Sequence, residues 1–304
     1  MEFEAKFSTE QSCRDYLAKI RWPNGFVCPR GCKGKAWEQK NGLFRCSGCD
    51  LQTSVTAGTL FQDTKVPLQL WFRAMWQITS QKYGANALGL QRVLGLGSYR
   101  TAWSWLHKFR RAMLRPGRDR LSGIIQVDET YLGAKKSGKR GRGAYGKALV
   151  VIMAELNGRA IGRIRLRKVD DASAASLEDA VTKAVESGAT IETDGWRGYN
   201  GLTELGYWHE IIRYNSVVGD DLLPCCHRIA GLLKRWLGGT LQGSVSQKHL
   251  EYYLDEYTFR FNRRKSRYRG KLFYRLVEQA VTVAPATIKS IVNGSGSDFN
   301  DGNH

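Results

Sequence analysis

The chain has 304 residues, 42% of them hydrophobic and 11% aromatic, which is enough to bury a full-size core spread over two or three domains. Lys and Arg number 47 against 28 Asp and Glu, a formal charge of +19 that points to a polyanion, nucleic acid first, as partner. No apolar run reaches membrane-spanning length, and the opening MEFEAKFSTEQ lacks the basic-then-apolar order of a signal peptide. No membrane partner is expected, and the cytosol is the expected compartment, where paired cysteines suggest metal before disulfide.

Residues 1–62 are rich in Cys, Gly and aromatics. CPRGC and CSGC place Cys28, Cys32, Cys46 and Cys49 as two knuckles, and two thiolate pairs a hairpin apart can surround one tetrahedral Zn²⁺. Such an ion would be structural, since a small segment gains folding energy from it. Cys13 falls in an amphipathic helix and reads as core.

Residues 63–118 read as helices. ALGLQRVLG, a turn at Gly95–Gly97 and a helix capped by Ser98 have helix-turn-helix proportions, with Tyr99, Arg100 and Trp103 early on the second helix where DNA contacts are made. An ordinary helical hairpin packed through Leu and Trp is the other reading. Pro116-Gly117 closes the block.

Residues 119–290 alternate strand and helix signals. GIIQVDETYLG, KALVVIMAEL and AIGRIRLRKV read as strands, the last two joined by a turn at Asn157-Gly158. A helix over DASAASLEDAVTKAVESG, a strand at ATIETDGW, another at WHEIIRY and a helix from CCHRIAG follow. This is the order of an RNase H-like α/β sheet. Residues 291–304 are Gly/Ser/Asn-rich and read as a disordered tail.

Asp128 and Asp194 each end an apolar strand, where a carboxylate needs something to pair with. On adjacent strands the two can hold a divalent metal. Glu129 and Glu192 neighbour them, and alternation is expected to send both to the opposite face. On the last helix His227 and Lys234 lie seven residues apart, about 700° of rotation, and so share one stripe. His227 can join the metal as a neutral imidazole, and Lys234 can meet a phosphate. Cys225 and Cys226 beside His227 read as buried thiols, a second zinc site being the alternative. Two basic stretches remain. KKSGKRGRGAYGK offers Lys135, Lys136, Lys139, Arg140 and Arg142 to a phosphate backbone, and FRFNRRKSRYRGK offers Arg263 and Arg264 among aromatics.

The ribbon GFVCPRGC…FRCSGCDLQTSVTAGTLFQDTKVPLQLWFRAMW, the segments VDETYLG and TDGWRGYNGL, and the ending HRIAGLLKRWLGGTLQGSVSQKHLEYYLDEYTFRFNRR resemble ISXO-like insertion-sequence transposases over about residues 10–265. The resemblance implies an RNase H-like DDE-type catalytic domain in which Asp128 and Asp194 are the first two acids. His227 stands where many relatives carry Glu or Asn, followed by Lys234. It further implies two Mg²⁺ or Mn²⁺ ions, double-stranded DNA ends as substrate and a homodimer or larger assembly. Imidazole is a softer ligand than carboxylate and suits Mn²⁺. Two departures stand out: the first knuckle is CPRGC where relatives more often read CPxC, and Leu241 replaces a usual His. A catalytically silent DNA-binding protein and a nuclease of branched DNA are the rival readings.

Overall fold

A computed structural model describes residues 2–114, 117–133, 147–158, 160–214, 221–241, 245–268 and 270–294. These divide into two compact units: residues 2–113 with 267–294, and residues 114–266.

The first unit opens with helices α1 (Glu2–Lys6) and α2 (Glu10–Arg21). Thr9 starts α2 through a reciprocal cap, its hydroxyl accepting the Ser12 N–H while Ser12 Oγ accepts the Thr9 N–H. Strands β1 (Ala36–Glu38), β2 (Leu43–Cys46) and β3 (Gln52–Ser54) form an antiparallel sheet in that order. Three helices follow: α3 (Leu68–Ser80), α4 (Ala87–Leu94) and α5 (Tyr99–Ala112). In α3, Leu68, Trp71, Phe72, Met75, Ile78 and Thr79 are buried, the three-and-four spacing of a helix with one face inward. Asn86 Oδ1 accepts the Gly89 N–H at 2.7 Å to start α4, and Gly95 ends it at φ +62°, a left-handed conformation that glycine adopts without a Cβ clash.

The second unit is built on one five-stranded sheet. Its strands are β4 (Ile124–Leu132), β5 (Ala148–Asn157), β6 (Ala160–Val169), β7 (Thr190–Thr193) and β8 (Trp208–Ile211), in the spatial order β6-β5-β4-β7-β8. β4–β5 and β5–β6 are antiparallel, and β4–β7 and β7–β8 are parallel. Helix α6 (Ala174–Ala184) and a 3₁₀ turn (Arg197–Leu202) cover one face. Helices α7 (Pro224–Leu241) and α8 (Leu250–Asn262) cover the other. Alternation along the central strands supplies both cores. Val150, Ile152 and Ala154 face α7 and α8, while Val151, Met153, Ile125 and Val127 face α6. Burying each such aliphatic side chain is worth roughly 1.5–3 kcal/mol. The β5–β6 hairpin turns at Gly158, φ +58°, with Asn157 opposite Ala160.

The chain then returns to the first unit as α9 (Gly270–Ala280) and α10 (Ile288–Asn293). Phe273 of α9 lies 5.0 Å from Phe3, 5.5 Å from Phe7 and 5.6 Å from Phe72, ring centre to ring centre, and Leu60 donates its N–H to the Ala280 carbonyl at 3.0 Å. The sequence reading carried the third segment to residue 290. The helix periodicity of α9 gives it an apolar face but not a partner, and the aromatics of α1 and α3 supply one. No helix among the described residues is long and apolar enough to cross a membrane.

Candidate active site

Parallel pairing of β4 with β7 sets Gln126 opposite Glu192. Two residues further along each chain segment stand Asp128 and Asp194, near enough that the charge of Asp194 acts on the Asp128 carboxyl. Asp128 is largely buried; Asp194, one residue past the end of β7, is exposed and accepts the Trp196 N–H at 2.9 Å. Gly195, at φ +79°, makes this turn possible, and a Cβ there would meet Ile211 at 2.7 Å. Burial pushes the Asp128 carboxyl up to about 6, and the charges of Glu129 and Asp194 add to the push. The Glu129 backbone N–H, donating to Asp128 Oδ1 at 2.8 Å, and the His227 ring act in the opposite direction.

Glu129 does face away from Asp128: its carboxylate accepts a 3.0 Å hydrogen bond from the buried Tyr199 hydroxyl, and Tyr199 packs in the α6-side core. Glu192 does not. It lies two residues before Asp194 and therefore shares that residue's face, where Gln126 Nε2 donates to its Oε2 at 3.0 Å. Period-two counting puts residues 192 and 194 together, which corrects the expectation drawn from the sequence.

Helix α7 brings His227 to the same place. Its Nε2 lies 3.3 Å from Asp128 Oδ2, and its Nδ1 is hydrogen-bonded to Asp221 Oδ1. The sequence reading had no role for Asp221, because a separation of six residues without a shared periodicity gives no sign that the two side chains meet. A carboxylate on Nδ1 fixes the ring so that Nε2 can act as a ligand. The 3.3 Å between Nε2 and Oδ2 is close to the ~3 Å that separates neighbouring ligands of an octahedral cation with bonds of about 2.0–2.1 Å. Two carboxylates and an imidazole are also the donor types that Mg²⁺ and Mn²⁺ accept. Lys234 is exposed two turns further along α7, and between them a Cβ at Gly231 would meet nothing within 4 Å, so the helix surface from His227 to Lys234 is open. Cys226 is fully buried and its thiol donates to the Gln126 and Ile152 carbonyls, so it belongs to the core; Cys225 is partly buried.

In the ribbon, Cys28, Cys32, Cys46 and Cys49 bring their sulfurs within 4.8 Å of one another, with Cys28 and Cys49 Sγ atoms 3.6 Å apart. Tetrahedral Zn²⁺ with bonds of about 2.3 Å has S···S edges of about 3.8 Å, so the four sulfurs are grouped at close to the size the ion requires. The wider C-x₃-C knuckle is accommodated at Gly31, φ +76°, whose N–H bonds the Cys28 carbonyl at 2.9 Å. Against its burial, backbone N–H groups of Arg30 and Cys32 bring the Cys28 thiol down to about 7, favouring the thiolate a metal needs. Among the described residues this is the one group of three or more ligands drawn so tightly.

The proposed DNA-contacting residues fare differently. Tyr99 and Arg100 are exposed at the start of α5, which packs on α4 across the Gly95 turn. Arg263 lies over the Phe259 ring at 4.1 Å and donates to the Phe259 carbonyl. Arg264 lies over Phe261 at 4.0 Å and donates to the Phe261, Gly162 and Ile161 carbonyls, pinning the end of α8 to β6. Both arginines thus have structural partners already. Lys135, Lys136, Lys139, Arg140 and Arg142 lie outside the described residues.

Residues 8–52 match the family described as the transposase zinc-ribbon domain, and residues 120–262 match the ISXO2-like transposase domain. Over 279 residues the chain is 28% identical to an uncharacterized protein in the transposable element ISH50 of Halobacterium salinarum, an alignment that covers 84% of this chain and 91% of that one. The two family matches together span more than half of the chain and take in every knuckle cysteine and Asp128, Asp194 and His227. The chain therefore carries a transposase zinc ribbon over residues 8–52 ahead of an ISXO2-like transposase domain over residues 120–262.

Proposed function

We propose that this transposase cuts and rejoins DNA at the ends of its own insertion element, using divalent cations held by Asp128, Asp194 and His227 on an RNase H-like sheet. One observation carries the reading: side chains from β4, the end of β7 and α7, drawn from across a hundred residues, come together on the α7 face of the sheet, with His227 Nε2 3.3 Å from Asp128 Oδ2. Bound there, Mg²⁺ or Mn²⁺ supplies activation of an attacking oxygen and stabilisation of a leaving one in an in-line displacement. The residues divide the work. Asp128 and Asp194 hold charge against the scissile phosphate, Asp221 keeps the imidazole in the tautomer that presents Nε2, and Lys234 meets a neighbouring phosphate along the open stripe of α7.

The ribbon holds Zn²⁺ structurally. With the α4–α5 pair, Tyr99 and Arg100 leading, it binds the terminal repeats of double-stranded DNA. The basic loop carrying Lys135, Lys136, Lys139, Arg140 and Arg142 follows the phosphate backbone, and joining two ends requires a dimer or larger assembly. The alternative is a silent DNA-binding copy, favoured by the imidazole at the third position. A cleavage and strand-transfer assay on DNA carrying the flanks of the gene, with Mg²⁺ or Mn²⁺, separates the two. Discrete cuts lost in Asp194→Asn are expected; binding of the flanks with no cut in either metal would establish the silent protein instead.

A further inference from the structure

Each member of the candidate metal trio lies two positions beyond a member of a second, hydrogen-bonded trio. Gln126 precedes Asp128 on β4, Glu192 precedes Asp194 on β7, and Cys225 precedes His227 on α7. Gln126 is buried, and its side-chain amide is used at both ends: Nε2 donates to Glu192 Oε2 at 3.0 Å, and Oε1 accepts the Cys225 backbone N–H at 3.0 Å. The Cys226 thiol adds a bond to the Gln126 carbonyl at 3.3 Å. The Cys225 N–H is one of the first-turn donors that α7 cannot satisfy from within, and Pro224 before it has none to offer. A single planar amide thus ties together the three elements that carry the metal ligands, one layer beneath those ligands. Apolar residues at these positions would bury as well, but they would fix neither the twist of α7 nor its height over the β4–β7 pair. Hydrogen bonds do, because their lengths and angles are narrow.

We propose that Gln126 is the positioning residue of the metal site: through Glu192 and the Cys225 N–H it sets the separation of Asp128, Asp194 and His227, and with it the affinity for the divalent cation. The proposal rests on the reading of those three as metal ligands. An octahedral ion tolerates little slack in its ligands, and removing an outer-shell hydrogen bond typically costs 10–100-fold in metal affinity.

The test uses the full-length, zinc-loaded protein and Mn²⁺, with free Mn²⁺ counted by electron paramagnetic resonance. Gln126→Met keeps the length and apolar volume while removing both hydrogen bonds, and it is expected to weaken Mn²⁺ binding at least tenfold while leaving the affinity for the flanking DNA unchanged. Glu192→Gln retains an acceptor for the Gln126 amide and should hold Mn²⁺ affinity within about threefold of the parent, whereas Glu192→Met should not. Should Gln126→Met fail to fold, the Glu192 pair decides alone. Parental Mn²⁺ affinity in folded Gln126→Met, or in Glu192→Met, overturns the proposal and leaves the amide a merely structural link. An Asp194→Asn control distinguishes a deeper failure: if it binds Mn²⁺ as the parent does, the trio is not the metal site and the underlying reading falls first.

Discussion

The molecule assembles two ligand clusters by opposite means. The cysteine cluster comes from one short stretch, Cys28 to Cys49, whose two knuckles are local turns joined by a small sheet. The carboxylate–imidazole cluster runs from Asp128 to His227 and exists only because β7 pairs in parallel with β4 and α7 packs over them. In the first, β1–β3 bury only Cys46 and Thr53, so packing supplies little of the order and an ion on the four thiolates would supply more. In the second the order comes from packing: Val150, Ile152, Leu233 and Tyr253 belong to an apolar core that needs no ligand to form. A metal can therefore organise a weak fold or occupy a strong one, and the surrounding apolar burial decides which.

The sharpest way to break this contrast is to remove zinc. Structural Zn²⁺ contributes on the order of 10 kcal/mol to small zinc domains. Chelation, or Cys46→Ser, should abolish hydrogen-exchange protection in β1–β3 while leaving β4 and β5 protected. Retained protection in β1–β3 would mean that the ribbon is held by packing after all. At the second site the expected effects fall on chemistry. Asp194→Asn should lower DNA cleavage by about 10³-fold or more, roughly 4 kcal/mol of transition-state stabilisation, with the melting temperature moved by no more than a few degrees because Asp194 is exposed. A large loss of thermal stability would make that site structural like the ribbon. Asp221→Asn is a smaller test of the same idea: losing the carboxylate on His227 Nδ1 should cost about tenfold in Mn²⁺ affinity, read by titration, with DNA binding intact.

A separate test concerns Asp255, a mostly buried carboxyl of α8 that serves as a control for Asp128. Burial pushes it from an ordinary 3.8 up to about 8, with Glu251 adding and Arg118 and Arg167 opposing. Its folded-state value is raised, so the protein favours the neutral acid. The resulting penalty is absent below about pH 4 and grows as pH rises towards 8. Asp255→Asn should therefore raise the melting temperature at pH 8 and do little at pH 4, and Mn²⁺ should not substitute for it. An equal change at both pH values would remove ionisation as the cause.

Much of the ribbon was legible in the sequence, since ligand spacing, turn glycines and partners all fall within a few residues of one another. The strand and helix order of the second unit was legible for a similar reason: Val, Ile and Leu runs of strand length alternate with three-and-four-spaced helices. The meeting of Asp128 with His227 was anticipated from their strand-end and helix-stripe positions. Other features were not open to that kind of reading. Asp221 beside His227 depends on how the chain enters α7. Arg264 looks from sequence like a free phosphate contact, yet it spends its guanidinium on three backbone carbonyls. Gln126 and Glu192 are ordinary residues until strand register sets them opposite each other.

The sequence by itself determined the zinc knuckles, the alternation that puts two cores on one sheet, the helix faces and the surplus of positive charge. Each is a property of neighbours along the chain, within reach of a turn, a cap or a period. Tertiary structure alone decided that α9 returns to the aromatics of α1 and α3, that Asp221 holds His227, and that one buried amide ties β4, β7 and α7 beneath the site. Those choices follow from which apolar faces and which strand registers satisfy one another. An amphipathic pattern specifies that a face must be covered, and only packing selects what covers it.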